Sequence, residues 1–253
     1  AQTQGAPNPD AYGYDEYEVF NGGAGWPAAD LHATATNAAA FINKNKAKPF
    51  FINVWLHESH TPHVPTKASM EKWKHLDEQK QVYAAVITDG DNDVGTILDA
   101  LKVAGVEDNT IVLVTGDHAE EFNDLGLNYW GHNGNFSDFQ LQVPFVLHWP
   151  GMTASRQARI SSHEDWVPTL MRHALGCENP LEDFSTGQDL LAPAPMAPRS
   201  LLVESWSQRG IRQGPDTYVF DKFGNSTALG PDYLPLPVQQ PDSAGLREAW
   251  DEL

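Results

Sequence analysis

An apolar strand in this chain runs directly into a group of metal-ligating residue types, and this limits the folds that are possible. Residues 111–115 read IVLVT, a run of branched apolar residues that is typical of a buried strand. Asp117, His118, Glu120 and Glu121 follow it almost at once. Carboxylates and imidazoles are costly beside a hydrophobic strand unless water, a partner or a cation compensates them. The pattern indicates either a solvated loop or a metal site.

The order of the predicted elements places this strand in an α/β fold. A helix is predicted near residues 34–46, and FFINVWL at 50–56 predicts the strand that follows it. A long helix at 77–104 precedes IVLVT, and VPFVLHW at 143–149 predicts a third strand. Helices that alternate with unbroken apolar strands favour a mostly parallel central sheet flanked by helices. Loops that carry ligands are then expected at the carboxyl edge of the sheet.

The signal is weaker in the last third of the chain. HEDWVPTLMRHALG at 163–176 predicts a helix that its final glycine ends. SLLVES at 200–205 and DTYVFD at 216–221 predict strands of a smaller sheet. We therefore expect a small subdomain toward the C-terminus.

Histidines in two other loops add to the possible ligands. His60 and His63 lie in HESHTPHVP, where prolines exclude regular structure, and His132 lies in NYWGHNGNF. Loops at one edge of a parallel sheet can converge on a hard or borderline divalent cation. Each residue also has a structural interpretation, because an Asp-His pair can cap a loop and Glu120 and Glu121 can begin a helix. Convergence of the loops, more than any single residue, favours a metal and anion site.

The charge of the chain limits its partners. The 253 residues include 34 acidic and 16 basic residues, which gives a formal charge of −18. Such a surface repels nucleic acid and anionic membranes, so we predict no nucleic-acid partner. An anionic substrate would need a local cation to bind. The sequence has no apolar run of ~18 residues, so we expect membrane attachment only through segments outside this chain.

Five segments of the chain stand out together. Three are GYDEYEVFNGG, KPFFINVWLHESHTPHVP and the stretch from Tyr83 to His118 that ends in VLVTGDH. The other two are QVPFVLHWPG and SSHEDWVPTLMRHALG. Together they cover most of residues 12–175, and in this order they resemble the sulfatase branch of the alkaline phosphatase superfamily. The resemblance implies an alkaline phosphatase/sulfatase-like fold.

The resemblance also implies an activity and a set of site residues. It implies metal-dependent hydrolysis of a sulfate ester, with a phosphate ester as the alternative substrate. It places Asp117 and His118 on the metal and gives His60 and His132 catalytic and substrate-binding roles, with His63 as a further substrate-binding residue. Ca²⁺ fits this branch best, Mn²⁺ or Zn²⁺ would suit an imidazole ligand better, and Mg²⁺ is a further alternative.

The chain departs from the family at its N-terminal side. The family's first strand with its pair of metal-binding Asp residues is not found, nor is the Cys-x-Pro-Ser-Arg nucleophile segment. We therefore expect residues 1–180 to be about the C-terminal two-thirds of a catalytic domain, followed by a small subdomain and tail at 181–253. Such a segment should lack turnover and expose a sheet edge or an apolar face.

The tail gives an alternative function and a location. NPLEDFSTGQDLL, with the preceding LQVPFVLHWPG, resembles periplasmic domains of inner-membrane sulfatase-like proteins of Gram-negative bacteria. Some of those proteins are thought not to be enzymes, so a non-catalytic envelope sensor is the alternative to a hydrolase. The location that this implies is the periplasm or the outside of the cell, with a tether to the inner membrane.

Overall fold

The computed structural model describes residues 8–18, 33–193, 199–205, 208–221, 223 and 225–237. The chain divides into two compact units, and each is described by itself. The first unit comprises Ala1–Val112 and His148–Gly151, and the second comprises Leu113–Leu147 and Met152–Leu253. Residues 19–23 of the GYDEYEVFNGG segment lie outside the described residues. Within the described ranges, no helix has both the length and the apolar character that a membrane span requires.

A long helix organises the first unit. Its helices are α1 (Ala33–Asn45), α2 (Lys67–Lys72) and α3 (Glu78–Ala104). Both α1 and α2 pack against α3, where Ile42 and Val86 are almost fully buried. The Asp77 side chain accepts a hydrogen bond from the Lys80 N–H, and Gly105 ends α3 with a φ of 71°. The long helix and the stop that the sequence predicts are therefore confirmed.

A buried carboxylate joins α2 to α3. Asp89 of α3 is 3% exposed and accepts a hydrogen bond from the Thr66 N–H at 2.7 Å. It also accepts from the hydroxyls of Thr66 at 2.8 Å and of Ser69 at 2.5 Å. Because a negative charge at the start of a helix is stabilising, Asp89 fixes where α2 begins.

The buried strand predicted at residues 50–56 is wrong. None of these residues belongs to a described strand, because their backbone has no ladder partner among the described residues. Burial alternates along the segment, and Phe51 and Trp55 are 66% and 65% exposed. The apolar run is therefore extended chain outside the described strands, with Phe51 and Trp55 exposed.

The described residues contain eight strands and two further α-helices. The strands are β1 (Val112–Thr115), β2 (Glu121–Phe122), β3 (Trp130–Gly131), β4 (Phe145–His148), β5 (Ser200–Glu204), β6 (Arg209–Gln213), β7 (Asp216–Phe220) and β8 (Ser226–Leu229). The helices are α4 (Asp138–Leu141) and α5 (Trp166–His173). β1 pairs with β4, β2 with β3, and β5 to β8 form a four-stranded sheet in sequence order. The β2–β3 and β5–β8 pairings are antiparallel, so a mostly parallel central sheet is not confirmed.

The C-terminal sheet packs on the segment that precedes α4. Phe136, Val219 and Leu229 form a buried cluster, and Tyr233 packs against it. The Phe136 N–H also donates a hydrogen bond to the Tyr233 hydroxyl at 3.0 Å. These contacts place both segments in the second unit, while the predicted domain boundary near residue 180 stays a prediction.

A buried ion pair fixes the start of α5. Asp165 is 1% exposed and accepts hydrogen bonds from Arg199 Nη1 at 2.7 Å, the Ser162 N–H at 2.8 Å and the Gln188 N–H at 2.7 Å. Thr169 donates to the Asp165 carbonyl at 2.6 Å and accepts from the Leu190 N–H at 2.8 Å. Two residues of the DWVPTL segment, Asp165 and Thr169, therefore attach α5 to residues 188–190 by hydrogen bonds.

Candidate functional site

A turn at the end of β1 presents Asp117 and His118. His163 donates a hydrogen bond from Nε2 to the Gly116 carbonyl at 2.7 Å. One oxygen of Asp117 accepts a hydrogen bond from the His118 N–H at 3.1 Å, while the Asp117 side chain stays 92% exposed. The turn is held in place by its neighbours, and the carboxylate is open to solvent.

The hydrogen bonds of His118 determine which ring nitrogen is available. Nδ1 lies 3.1 Å from the Ala119 carbonyl oxygen, which can only accept, so we assign the proton to Nδ1. Nε2 then carries the lone pair, and it lies 3.8 Å from Oδ2 of Asp117. A cation with bonds of ~2.0–2.4 Å can bridge two atoms at this separation. The two residues therefore fit a shared divalent cation.

A short hairpin brings His132 beside this turn. Its register pairs Glu121 with Gly131, so the residues just outside it, Glu120 and His132, also oppose each other. His132 donates from Nδ1 to Oε2 of Glu120 at 2.7 Å. Its ring stacks on that of His118, with centroids 3.9 Å apart and an interplanar angle of 28°. His132 thus contacts both Glu120 and His118.

A buried carboxylate supports the segment that follows His132. Glu121 is fully buried, and its Oε2 accepts hydrogen bonds from Asn135 Nδ2 at 2.8 Å and Gln140 Nε2 at 2.7 Å. Gln140 in turn accepts from the Gly134 N–H at 2.9 Å. Glu121 therefore fixes the loop from its interior, whereas Glu120 faces His132.

The environment of Tyr233 in this region shifts its titration. Burial raises the pKa of Tyr233 above its usual 10.0, and the nearby Tyr129 and Glu121 raise it further. The hydrogen bond from the Phe136 N–H opposes this rise, because it stabilises the phenolate. The phenol stays protonated in the folded protein at neutral pH.

The predicted site residues are divided between the two units. Asp117, His118 and His132 lie in the second unit, and His60 and His63 lie in the first. Nδ1 of His60 is 2.7 Å from the Thr61 carbonyl oxygen, and Nε2 of His63 is 3.0 Å from that of Ser59. Each ring is held by its own loop, and the convergence of the two groups stays a prediction.

Sequence reasoning grouped Glu120 and Glu121 with the possible ligands but assigned neither a role, and it did not single out His163. Glu120 and Glu121 have a helix start as their structural alternative, but they lie at the start of a hairpin strand. The signal for a hairpin is a pair of asparagines, since Asn123 and Asn128 adopt positive φ values of 55° and 64°, a conformation that Asn tolerates well. His163 gives no local signal, because it reaches the turn from a segment 47 residues away.

Comparisons with known proteins match the chain to one family model and to several curated relatives. A family model described as Sulfatase matches residues 3–177. Inner membrane protein YejM of Salmonella typhimurium is 35% identical over 108 residues, which cover 43% of this chain and 18% of that protein. Steryl-sulfatase of Rattus norvegicus is 28% identical over 169 residues, which cover 62% and 28%. The chain thus spans less than a third of the length of either relative.

A solved structure supports the same fold. A protein in the alkaline phosphatase superfamily from Vibrio parahaemolyticus matches with a TM-score of 0.64 and 18% identity, over 84% of this chain and 50% of that one. At this identity the likeness shows the fold alone. The alkaline phosphatase/sulfatase-like fold expected from the sequence is confirmed at this level.

Proposed function

The chain belongs to the sulfatase family, and from this premise we propose that the full-length protein hydrolyses a sulfate ester with a divalent cation. Asp117 and His118 bind the cation in this proposal. The observation that supports it most is the turn after β1, where His118 Nε2 and Asp117 Oδ2 lie 3.8 Å apart on an exposed surface. A cation bound there stabilises the negative charge that develops on the ester group.

His132 contributes an oriented imidazole to the proposed reaction. Glu120 Oε2 accepts a hydrogen bond from His132 Nδ1 at 2.7 Å, so Nε2 is the nitrogen left to contact the ester. The His132 side chain is 40% exposed, which lets a ligand reach it. We assign it, with His60, to binding the ester and protonating the leaving oxygen, and His63 to binding the substrate.

We propose Ca²⁺ as the cation, with Mn²⁺, Mg²⁺ and Zn²⁺ as alternatives. Family resemblance supports Ca²⁺, and the exposed Asp117 carboxylate is a suitable oxygen ligand for it. The imidazole of His118 favours the transition metals instead. We also propose that β1 and β4 belong to a mostly parallel sheet in the full-length protein, as the fold family implies.

We propose that the protein works in the periplasm or outside the cell, with a tether to the inner membrane. The similarity to an inner membrane protein of Salmonella typhimurium supports this location. Fractionation of cells that express the tagged full-length protein tests it. A signal confined to the soluble cytosolic fraction would contradict the proposal.

The same similarity favours a second candidate function, a non-catalytic envelope domain that keeps the fold and has lost turnover. At 35%, the identity to the inner membrane protein exceeds the 28% identity to steryl-sulfatase, although it covers a shorter stretch. If the protein is a hydrolase, a phosphate ester is the alternative substrate.

Kinetics of the full-length protein distinguish these functions. With metal supplied, we expect hydrolysis of an aryl sulfate to exceed that of the matching aryl phosphate. Asp117→Asn and His118→Ala should each lower kcat/KM at least about 100-fold, as for loss of a group that stabilises transition-state charge. Asp108→Asn is the control, because it removes one negative charge at another exposed position. Full activity in Asp117→Asn would contradict the assigned metal position, and no hydrolysis of either ester would support the envelope domain.

A further inference from the structure

The contact between the β1 turn and the hairpin assembles three ligand groups. One ligand atom from each of His118, Glu120 and His132 lies within 4.8 Å of the other two. Their side chains are 43%, 19% and 40% exposed, respectively, so a hydrated ion can reach them without any opening of the core.

We propose that these three side chains form a binding site for a borderline transition-metal ion of the Zn²⁺ class. Two imidazoles and one carboxylate are a donor set that such ions prefer, whereas Ca²⁺ and Mg²⁺ prefer oxygen ligands throughout. This site goes beyond the proposed function, because ester hydrolysis at the Asp117 position requires no metal bond from Glu120 or His132.

The distances require only small side-chain movements. Ligand atoms ~2.1 Å from a tetrahedral Zn²⁺ lie about 3.4 Å apart. The hydrogen-bonded atoms His132 Nδ1 and Glu120 Oε2, now 2.7 Å apart, must therefore separate slightly, and Nδ1 must release its proton if it is the atom that binds. Any pair of ligand atoms near the 4.8 Å limit must approach each other. Rotation of partly exposed side chains can supply both movements. The stacked rings, 3.9 Å apart at an angle of 28°, must tilt so that their lone pairs converge.

The surrounding backbone prepares His118 for this role. Its Nδ1–H donates to the Ala119 carbonyl, an arrangement that fixes the tautomer and orientation of metal-binding histidines. The register of the hairpin keeps Glu120 opposite His132 whether or not an ion is bound. The site is therefore largely formed in advance, and binding requires ordering of few side chains.

His118 links the new site to the one in the proposed function. Its Nε2 can serve either the Asp117 position or the group with Glu120 and His132, so zinc at the new site removes a ligand from the first. It also occupies His132, which is assigned to the ester. Zinc-class ions should thus compete with hydrolysis in the full-length protein.

Zinc titration of the tag-free 253-residue chain tests the site directly, because it needs no enzymatic activity. We expect one ion bound per chain by calorimetry, and Co²⁺ as a spectroscopic probe should show the visible absorption of nitrogen and oxygen ligation. Glu120→Gln and His132→Ala should each weaken Zn²⁺ binding at least about tenfold, since changes to outer partners alone typically cost that much. His75→Ala, an exposed histidine in the first unit, should not change it.

Asp117→Asn separates this site from the proposed catalytic metal. We expect this variant to bind zinc with an affinity within about threefold of the wild type, because Asp117 is an exposed charge beside the site and exposed charges contribute little. The same change should lower hydrolysis in the full-length protein. Unchanged zinc binding in both Glu120→Gln and His132→Ala would overturn the proposal, as would loss of binding in Asp117→Asn with binding retained in Glu120→Gln. Circular dichroism of each variant confirms that it is folded.

Discussion

Glu121 shows how a single buried residue supports the loop that carries His132. Its Oε2 accepts two side-chain amide hydrogen bonds, from Asn135 and Gln140, in an interior that excludes water. A neighbouring glutamate of the same type, Glu120, meets His132 at the surface instead. Successive side chains of extended chain point to opposite sides, which explains why Glu120, just before β2, and Glu121, its first residue, have such different environments.

Glu121→Leu should destabilise the second unit, because it leaves two buried amide groups without their acceptor. We expect the free energy of unfolding to fall by about 2–5 kcal/mol, as measured by urea titration. Glu121→Gln should cost less than about 1 kcal/mol, since its amide oxygen can accept the same bonds. Glu178→Leu, an exposed position, is the matched control. Equal stability of Glu121→Leu and wild type would contradict this role.

Tyr233 predicts how stability changes at alkaline pH. Burial raises its pKa above 10.0 in the folded protein, so the unfolded chain releases the proton first as the pH rises. Its contribution to stability is complete below pH 10 and is lost as the pH rises through the folded-state pKa. Tyr233→Phe should be less stable at neutral pH, because the Phe136 N–H loses its acceptor, but its stability should decline less steeply above pH 10.

Urea titrations of both proteins across this pH range measure the difference. Phenolate absorbance of the folded wild type should show one tyrosine that titrates at a higher pH than the others, and Tyr233→Phe should lack it. Parallel declines in the two proteins would show that other tyrosines carry the effect.

The sequence identified Asp117, His118 and His132 as candidates, because ligand residue types stand out after an apolar strand and in a polar loop. It did not identify Glu120 as the partner of His132. That pairing depends on a two-residue strand on each side of the hairpin, which is too short to give a detectable alternation. His163 depends on a contact between distant segments, which no local pattern contains.

At the level of elements, α5 depends on the ion pair between Asp165 and Arg199. Their side chains are 1% and 10% exposed, and the two groups are 2.7 Å apart. Asp165→Asn removes the charge that compensates Arg199, so we expect a loss of about 3–5 kcal/mol in the free energy of unfolding. Thermal and urea unfolding followed by circular dichroism measure it.

An exposed ion pair in the C-terminal sheet provides the control. Arg209 and Glu204 are also 2.7 Å apart, but their side chains are 62% and 49% exposed. Glu204→Gln should therefore cost at most about 1 kcal/mol. Losses of the same size in Asp165→Asn and Glu204→Gln would mean that burial does not set the strength of the first pair.

The elements that could be predicted are those whose signal is local. The periodicity and end signals of α3 are contained within one stretch, as are the apolar runs of β1 and β4, and all three elements are confirmed. FFINVWL has the same composition as a strand, yet it forms none, because a strand also needs a neighbour to pair with. β6 was not predicted, because RGIRQ has little apolar character of its own. It forms a strand through its pairing with β5 and β7 on either side.

For the whole molecule, the formal charge of −18 should make stability depend on salt. Self-repulsion among 34 acidic residues favours the unfolded chain, in which the charges are farther apart, and salt screens this repulsion over a Debye length of ~10 Å at 0.1 M. We expect Tm to rise as NaCl increases from low concentration to about 0.2 M, with most of the gain where the Debye length shortens fastest.

Two controls separate screening from other effects of salt. Sucrose at matched osmolality stabilises proteins by exclusion from their surface and leaves charge interactions unchanged, so it should not reproduce the steep rise at low concentration. KCl should match NaCl, because screening depends on ionic strength. Mg²⁺ and Ca²⁺ should raise Tm further at equal ionic strength only if they bind, and Asp117→Asn should remove any such excess that arises from the β1 turn. A Tm that stays constant from low salt to 0.2 M NaCl would show that the acidic residues are spaced widely enough for their repulsion to be negligible.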